Sequence, residues 1–374
     1  MVTRYVAFYD ANPATSSRNI SPAAVNKVNY IANSLCRIGC EVEIVSPTWK
    51  VKPDDFEEVE ASNDSFSITF APELRYFGIF RGAVNALFVN FWLFFFLCFR
   101  LARNERVLVY HSLVIIPAIF AARYIKSLDV VLEVEELYTS VGNWHSIFQF
   151  LEARYISKVG CSYLLSTELL EAVIPPRKKR IFVYGAYFLK SKRPSRSPAN
   201  GRRIKLLYAG IIDAEKMGAF NAVRAAKHLD AAYELHIVGF GDVDRLLLEI
   251  EESNSQSECS VFYDGYMSGV RFEEYCSDFD IGLSTQSSTG KYLSSSFPSK
   301  VLTYLLFGMR AVSPRIECVE RSAIGHLVKY YDKDDPLEIA AAISSIDFED
   351  GFNCFAELQK LDADFCAKLK IFFH

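Results

Sequence analysis

The nine cysteines include no C-x-x-C pair. Their odd number and scatter exclude a zinc ribbon, a thioredoxin-type motif and a disulfide scaffold, and fit reduced, mostly buried thiols. No G-x-S-x-G and no H-E-x-x-H occurs, so neither a hydrolase nucleophile elbow nor a zincin site is present. Gly239-Phe240-Gly241 lacks the spacing of a dinucleotide fingerprint or a Walker loop and reads as a tight strand-to-helix turn. The start, MVTRYVAFYD, has no basic region followed by an apolar stretch, so the expectation is a cytoplasmic protein without a secretory signal. A net charge of −4 argues against a general nucleic-acid binder, and no nucleic acid is expected as partner. With 51% apolar and 23% charged residues, long disorder and collagen are excluded and ordinary globular cores are expected. A chain of 374 residues points to two domains.

What is present alternates strand and helix. Val6–Tyr9 reads as a strand, followed by a polar loop and then Ser21-Pro22, an N-cap with proline at the first helical position. Val25, Val28, Ile31, Leu35 and Ile38 recur at helical spacing up to Gly39, and Glu41–Val45 is the next strand. One such βαβ unit implies a parallel sheet. The pattern continues through a strand ending at His111, another ending in Glu133, Glu135 and Glu136, and strands near 163–166 and 181–184. From Ala172 to Ile212 there is no acidic residue but eleven Lys and Arg, with a Ser/Pro/Gly-rich centre. This stretch reads as a linker; its charge is either a solvated hinge or a basic surface facing anions. The βα alternation then restarts at Lys205 and runs to about Ile346. The expectation is an N-terminal domain over 1–188, a linker over 189–203, a C-terminal domain over 204–350, and a tail over 351–374 that packs back toward the N-terminal domain. Ligands of such sheets bind beyond the carboxyl ends of the strands.

Pro298-Ser299 opens a helix whose first turn presents unpaired N–H groups and a positive dipole end, and Lys300 lies in that turn. Ser299 and Thr303 add hydroxyls on neighbouring turns. Lys216 follows the glycine turn at Gly210. Taken singly, either lysine would read as a solvated surface residue.

Four stretches of the C-terminal half resemble retaining family-four glycosyltransferases of the GT-B fold. They are KLLYAGIIDAEKMGAFNAVRAAKHL from Lys205, ELHIVGFGD from Glu234, FYDGYMSGVRFEEYCSDFDIGLS from Phe262, and FPSKVLTYLLFGMRAVSP from Phe297. LEARYISKVGCSYLLSTELL from Leu151 resembles the late N-terminal helix and strand of the same family, more weakly. The resemblance implies an α/β protein of two Rossmann-like domains facing across a cleft. It implies transfer of a sugar from a UDP- or GDP-sugar to a saccharide or lipid-linked saccharide, with retention, in bacterial surface polysaccharide synthesis. No cofactor and no metal are expected. On this picture Lys216 and Lys300 converge on the donor diphosphate, Gly210, Ser299 and Thr303 complete its site, and Gly265 and Tyr266 flank the base. Tyr266 reads nearly as well as a packed tyrosine. On the acceptor side stand Asn19, Glu135 and Glu136. His111 either joins the catalytic group or is a buried, hydrogen-bonded histidine. An epimerase on the same scaffold and a non-catalytic relative are the alternatives.

The sequence departs from the family where many members carry Glu-x7-Glu: here stand Ser295 and Thr303. Ile211 and Ile212 follow Gly210 where the family often has arginine. The triplets Asp242-Val243-Asp244, Asp278-Phe279-Asp280 and Asp362-Ala363-Asp364 are short enough to arise by chance and are expected to be structural.

Thirty phenylalanines remain to be placed. Residues 82–99 contain only Asn85 and Asn90 as clearly polar groups, with Arg81 before them and Arg100, Arg103 and Arg106 after. The preferred reading is a helix whose apolar face contacts the inner face of the membrane. A buried core helix and a true span are the alternatives; the span would divide one Rossmann sheet.

Overall fold

The computed structural model describes residues 2–11, 16–51, 65–72, 74, 80–141, 146–189, 201–215, 217–287 and 296–373. The chain divides into two compact units, one of Met1–Ala186 with Ala363–His374, the other of Tyr187–Asp362.

In the first unit, β1 (Val2–Val6), β2 (Glu41–Ser46), β3 (Ser67–Phe70), β4 (Arg106–Tyr110), β5 (Asp129–Val134), β6 (Ser162–Leu165) and β7 (Lys179–Phe182) form one sheet in the order β3-β2-β1-β4-β5-β6-β7. Its ladders are all parallel. The helices between these strands are α1 (Pro22–Arg37), α2 (Arg81–Arg100), α3 (Ile116–Lys126), α4 (Tyr138–Val141) and α5 (Ser146–Val159). The second unit has β8 (Ile204–Ile212), β9 (Tyr233–Gly241), β10 (Ser260–Tyr263), β11 (Ile281–Leu283), β12 (Arg310–Pro314) and β13 (Val328–Tyr331), ordered β10-β9-β8-β11-β12-β13 and again parallel. Its helices are α6 (Gly218–Ala226), α7 (Val243–Gln256), α8 (Gly269–Cys276), α9 (Ser299–Leu306), α10 (Glu317–Glu320) and α11 (Pro336–Ser344). A last helix, α12 (Cys354–Phe373), occupies what the sequence presented as a tail, and its residues from Ala363 on group with the first unit.

Both sheets therefore follow the 3-2-1-4-5-6 order of doubly wound folds. Strand order reverses between β1 and β4 in one and between β8 and β11 in the other; open α/β sheets as a class take their ligands outside the strand carboxyl ends at such points.

The local causes are readable. Pro22 starts α1 directly after Ser21, its stripe of Val25, Val28, Ile31 and Leu35 is buried, and Gly39 at φ +92° ends it. The first strand is Val2–Val6 rather than Val6–Tyr9. Arg4 sits inside it because its guanidinium pairs with Glu43 at 2.9 Å and Glu105 at 2.5 Å. Ala7 still donates to the Val45 carbonyl at 3.1 Å, so the chain leaves the strand extended. On one face of the first sheet, Val107, Val109, Val130 and Leu132 share a core with α2, α3 and α5. The other face carries Tyr5, Leu108 and Val131, all buried. In α12, Phe365 stacks on Tyr30 of α1, with ring centroids 5.4 Å apart.

Candidate functional site

At the switch point of the second sheet, glycines bring three strand ends close. Gly210, near the end of β8, has φ +151°, a region that favours glycine. It pairs with Gly239 of β9, where a Cβ would overlap the Gly210 carbonyl oxygen. Gly239 in turn donates its N–H to the Gly265 carbonyl at 3.0 Å, just past β10. Backbone, not side chain, lines this edge.

Helix α9 delivers Lys300 to it. Lys300 Nζ lies 2.6 Å from where a Gly210 Cβ would stand, so only glycine leaves the ammonium this place. Nζ donates to the Tyr208 hydroxyl at 2.7 Å and lies 3.9 Å from that ring's centroid. One turn further along α9, buried Tyr304 fixes the helix. Its hydroxyl donates to the Leu283 carbonyl at 3.0 Å and accepts from Ala209 N–H at 3.1 Å, bridging β11 and β8. Its ring fills the space a side chain at Gly282 would need. Ser299 is exposed in the first turn of α9. Pro298, at the N-cap position, offers that turn no side-chain hydrogen bond. Thr303 donates back to the Ser299 carbonyl at 2.9 Å. The chemistry on offer is a cation, backbone N–H groups and a helix start, which suits a diphosphate.

Beyond Gly265, which has φ +81°, Tyr266 is 62% exposed and meets exposed Phe240 edge to face at 5.4 Å. Two accessible rings beside the glycine line suit a planar base. The structure thus brings Gly210, Lys300 and Ser299 together, and connects them through Gly239 to Gly265 and Tyr266. Lys216 and Ser295 lie outside the described residues. Among the Asp pairs, Asp280 is engaged structurally: it accepts from Arg202 at 2.6 Å and from Lys205 N–H at 2.8 Å.

The corresponding edge of the first sheet is made of side chains. Glu133 of β5 is buried and accepts from the Tyr5 hydroxyl of β1. Burial, and next the charge of Glu135, push the Glu133 carboxyl up to about 8, against the pull of Lys27. Lys27, buried on α1, pairs with Glu135 at 2.5 Å and donates to the Val183 carbonyl at 2.5 Å. Tyr138 donates to the Tyr110 hydroxyl at 3.2 Å. Burial raises both phenols above the ordinary tyrosine range. Glu136 is half-buried just beyond.

His111 is buried and turned inward. Its Nε2 donates to Glu152 at 2.8 Å, and its ring stacks on Tyr155 with centroids 5.7 Å apart. Glu152 also accepts from Tyr138 N–H at 3.0 Å and Thr139 N–H at 2.9 Å. Burial raises the Glu152 pKa, but the bonds from His111 and Thr139 outweigh it and hold the carboxyl below its usual value. In this geometry His111 positions the turn that opens α4. Asn19 is tied to Trp49, donating to its carbonyl at 3.1 Å and accepting from its N–H at 2.8 Å.

Several contributors escaped sequence reasoning. Tyr208 stands two residues before Gly210, and Tyr304 four after Lys300, the spacing that stacks side chains on one helix face. That spacing was a usable signal. Lys27 gave none, since one charged position in a helix reads as solvated.

No family model and no curated protein matches the sequence. Solved structures do. An apo structure of OtsA superposes with a TM-score of 0.66 at 9% identity, over 100% of this chain and 98% of that one. The α,α-trehalose 6-phosphate synthase of Burkholderia multivorans gives 0.62 at 12% identity, over 99% and 98%. Anabaena HepE in complex with UDP and glucose gives 0.61 at 9% identity, over 98% and 95%. The protein has the GT-B fold, built of two Rossmann-like domains.

Proposed function

We propose that this protein is a glycosyltransferase that moves a hexosyl unit from a UDP- or GDP-sugar to a hydroxyl of a saccharide acceptor. The observation that carries this reading is Lys300, held by Tyr208 against Gly210 at the start of α9. The fold and the UDP and glucose bound by HepE support it. In the reaction the anomeric carbon–oxygen bond breaks and the nucleoside diphosphate leaves with the electron pair. The Lys300 ammonium and the first N–H groups of α9 stabilise the charge that develops on it. Lys216 joins them. The acceptor hydroxyl attacks from the same face, giving retention, and its proton passes to a donor phosphate oxygen. No metal ion or cofactor takes part. The first unit binds the acceptor: the Lys27–Glu135 pair and Glu136 suit sugar hydroxyls.

The acceptor is carried on a polyprenyl lipid, and the product serves a bacterial surface polysaccharide. The protein works in the cytoplasm, with α2 against the membrane. The test is release of nucleoside diphosphate from UDP- and GDP-sugars, with and without a lipid-linked saccharide, in EDTA. Acceptor-dependent release by the wild type, abolished in Lys300→Ala, and an anomerically retained product are expected. Steady sugar epimerisation without nucleotide release overturns the reading.

A further inference from the structure

Helices α2, α3 and α5 cover one face of the first sheet, and their inward stripes share one core. The inward residues of α2 are Asn85, Val89, Leu93 and Leu97. The opposite stripe, Leu87, Phe91, Phe95 and Phe99, recurs every fourth residue and faces solvent, with Phe99 81% exposed. The helix is long and apolar enough to cross a membrane, yet its inner stripe is built into the domain core, so it lies along the domain surface. Asn90, a polar residue near its middle, is used up at the seam with α3. It donates to the Val114 carbonyl at 2.6 Å and accepts from Ala118 N–H at 3.1 Å. The exposed apolar surface continues on α3 with Phe120, Tyr124 and Ile125, and on α5 with Phe150 and Leu151. Contiguous apolar exposure on this scale marks an interaction surface.

The charge on these helices has one sign. Neither α2 nor α3 contains an acidic residue, and the one in α5, Glu152, is buried against His111. Arg100, Arg103, Lys126, Arg154 and Lys158 have no ion-pair partner among the described residues. In a parallel sheet each crossover helix runs opposite to its strands. Arg100, Lys126 and Lys158, at or near the helix ends, therefore fall on one rim, with Arg103 just past α2. The strand carboxyl ends lie at the other rim. Cations there also suit the helix dipoles, but that accounts for neither the aromatic stripe nor the missing carboxylates.

We infer that the α2–α3–α5 face docks on an anionic lipid bilayer, with the aromatic stripe in the acyl boundary and the basic rim at the lipid phosphates. This deepens the reading of α2 as a membrane-facing helix by adding two helices and a headgroup charge. A second copy of the chain fits less well, since an isologous contact uses the same three helices on both sides and they bring no exposed carboxylate to the basic rim. The docked face leaves the strand carboxyl ends of this unit open.

The test is co-sedimentation of the full chain with vesicles of pure phosphatidylcholine and of phosphatidylcholine with one third phosphatidylglycerol. Binding is expected to the anionic vesicles, at least about tenfold tighter than to the neutral ones, and to weaken in high salt. Arg100→Gln/Arg103→Gln/Lys126→Gln should remove the preference for anionic lipid. Phe95→Ser/Phe99→Ser should lose binding to both, with circular dichroism and nucleotide-induced thermal shift unchanged. Equal affinity for the two vesicles, full binding by the Phe variant, or a protein left in the supernatant overturns the proposal. In that last case light scattering or pull-down distinguishes a self-associating face from a protein-binding one. Vesicle binding is read without turnover, so its failure is separate from failure of the glycosyl-transfer reading.

Discussion

The two sheets share a strand order and differ in what stands at their carboxyl ends. In the second unit the edge is glycine backbone with Lys300 laid against it, Gly210 and Gly239 being paired on neighbouring strands. In the first unit the equivalent edge is filled with polar and aromatic side chains: Tyr5, Tyr110, Glu133, Glu135 and Lys27. Topology fixes where a ligand can sit, and the residues at the edge decide which ligand. Bare backbone lets a phosphate come within reach of N–H groups. Side chains with paired charges and hydroxyls present the directional partners a sugar needs.

The largest expected effect comes from removing the lysine that distinguishes the second edge. Lys300→Ala should lower kcat/KM about 10²–10³-fold by loss of charge stabilisation in the transition state. Steady-state kinetics checks this, and the melting temperature should move little. Gly239→Ala attacks the backbone side of the contrast. Its Cβ would collide with the Gly210 carbonyl, so strands β8 and β9 must part, at a cost of about 1–3 kcal/mol by denaturant unfolding. An alanine at the same edge that unfolds like wild type would show that close backbone approach is not what the glycines provide. Tyr266→Ala should raise the donor KM about tenfold, of the order of base–aromatic stacking, with kcat nearly unchanged.

The smallest effect sharpens the first unit. The Glu133 carboxyl is raised from 4.5 to about 8, so between those values the folded chain holds a proton that the unfolded chain has released. Its contribution to stability is therefore fully present below about pH 4.5 and is lost as pH rises through about 8. The groups around it are Tyr5 on β1, Lys27 on α1, and Glu135. Glu133→Gln should flatten that part of the pH–stability curve, measured by urea unfolding at several pH values. An unchanged slope would place the proton elsewhere.

The architecture was largely legible because apolar strands and helices alternate cleanly and glycines stand at strand ends. The strands missed were β3 and β13, the outermost members of their sheets at one edge each. Ser67–Phe70 has no buried residue and Val328–Tyr331 is interrupted by exposed Lys329, so neither stands out as an apolar run, and only their ladders with β2 and β12 define them. The shift of β1 toward the start of the chain had a similar cause, since Arg4 breaks the apolar run until its two glutamate partners are known. In the site, the contact of Lys300 with Gly210 was foreseeable from a lysine in the first turn of a helix and a glycine at a strand end. The buried cluster of Tyr5, Lys27 and Glu133 was not, because each charge or hydroxyl alone looks solvated and only tertiary packing supplies the partner.

The contrast between the edges is tested most directly by hydrogen exchange on the full chain with saturating UDP or GDP. The account predicts added protection at 207–215 and 297–303, with none at 5–11 or 133–139. Protection confined to the first sheet's edge, with the Gly210 and Lys300 segments exchanging as in the free protein, would contradict it.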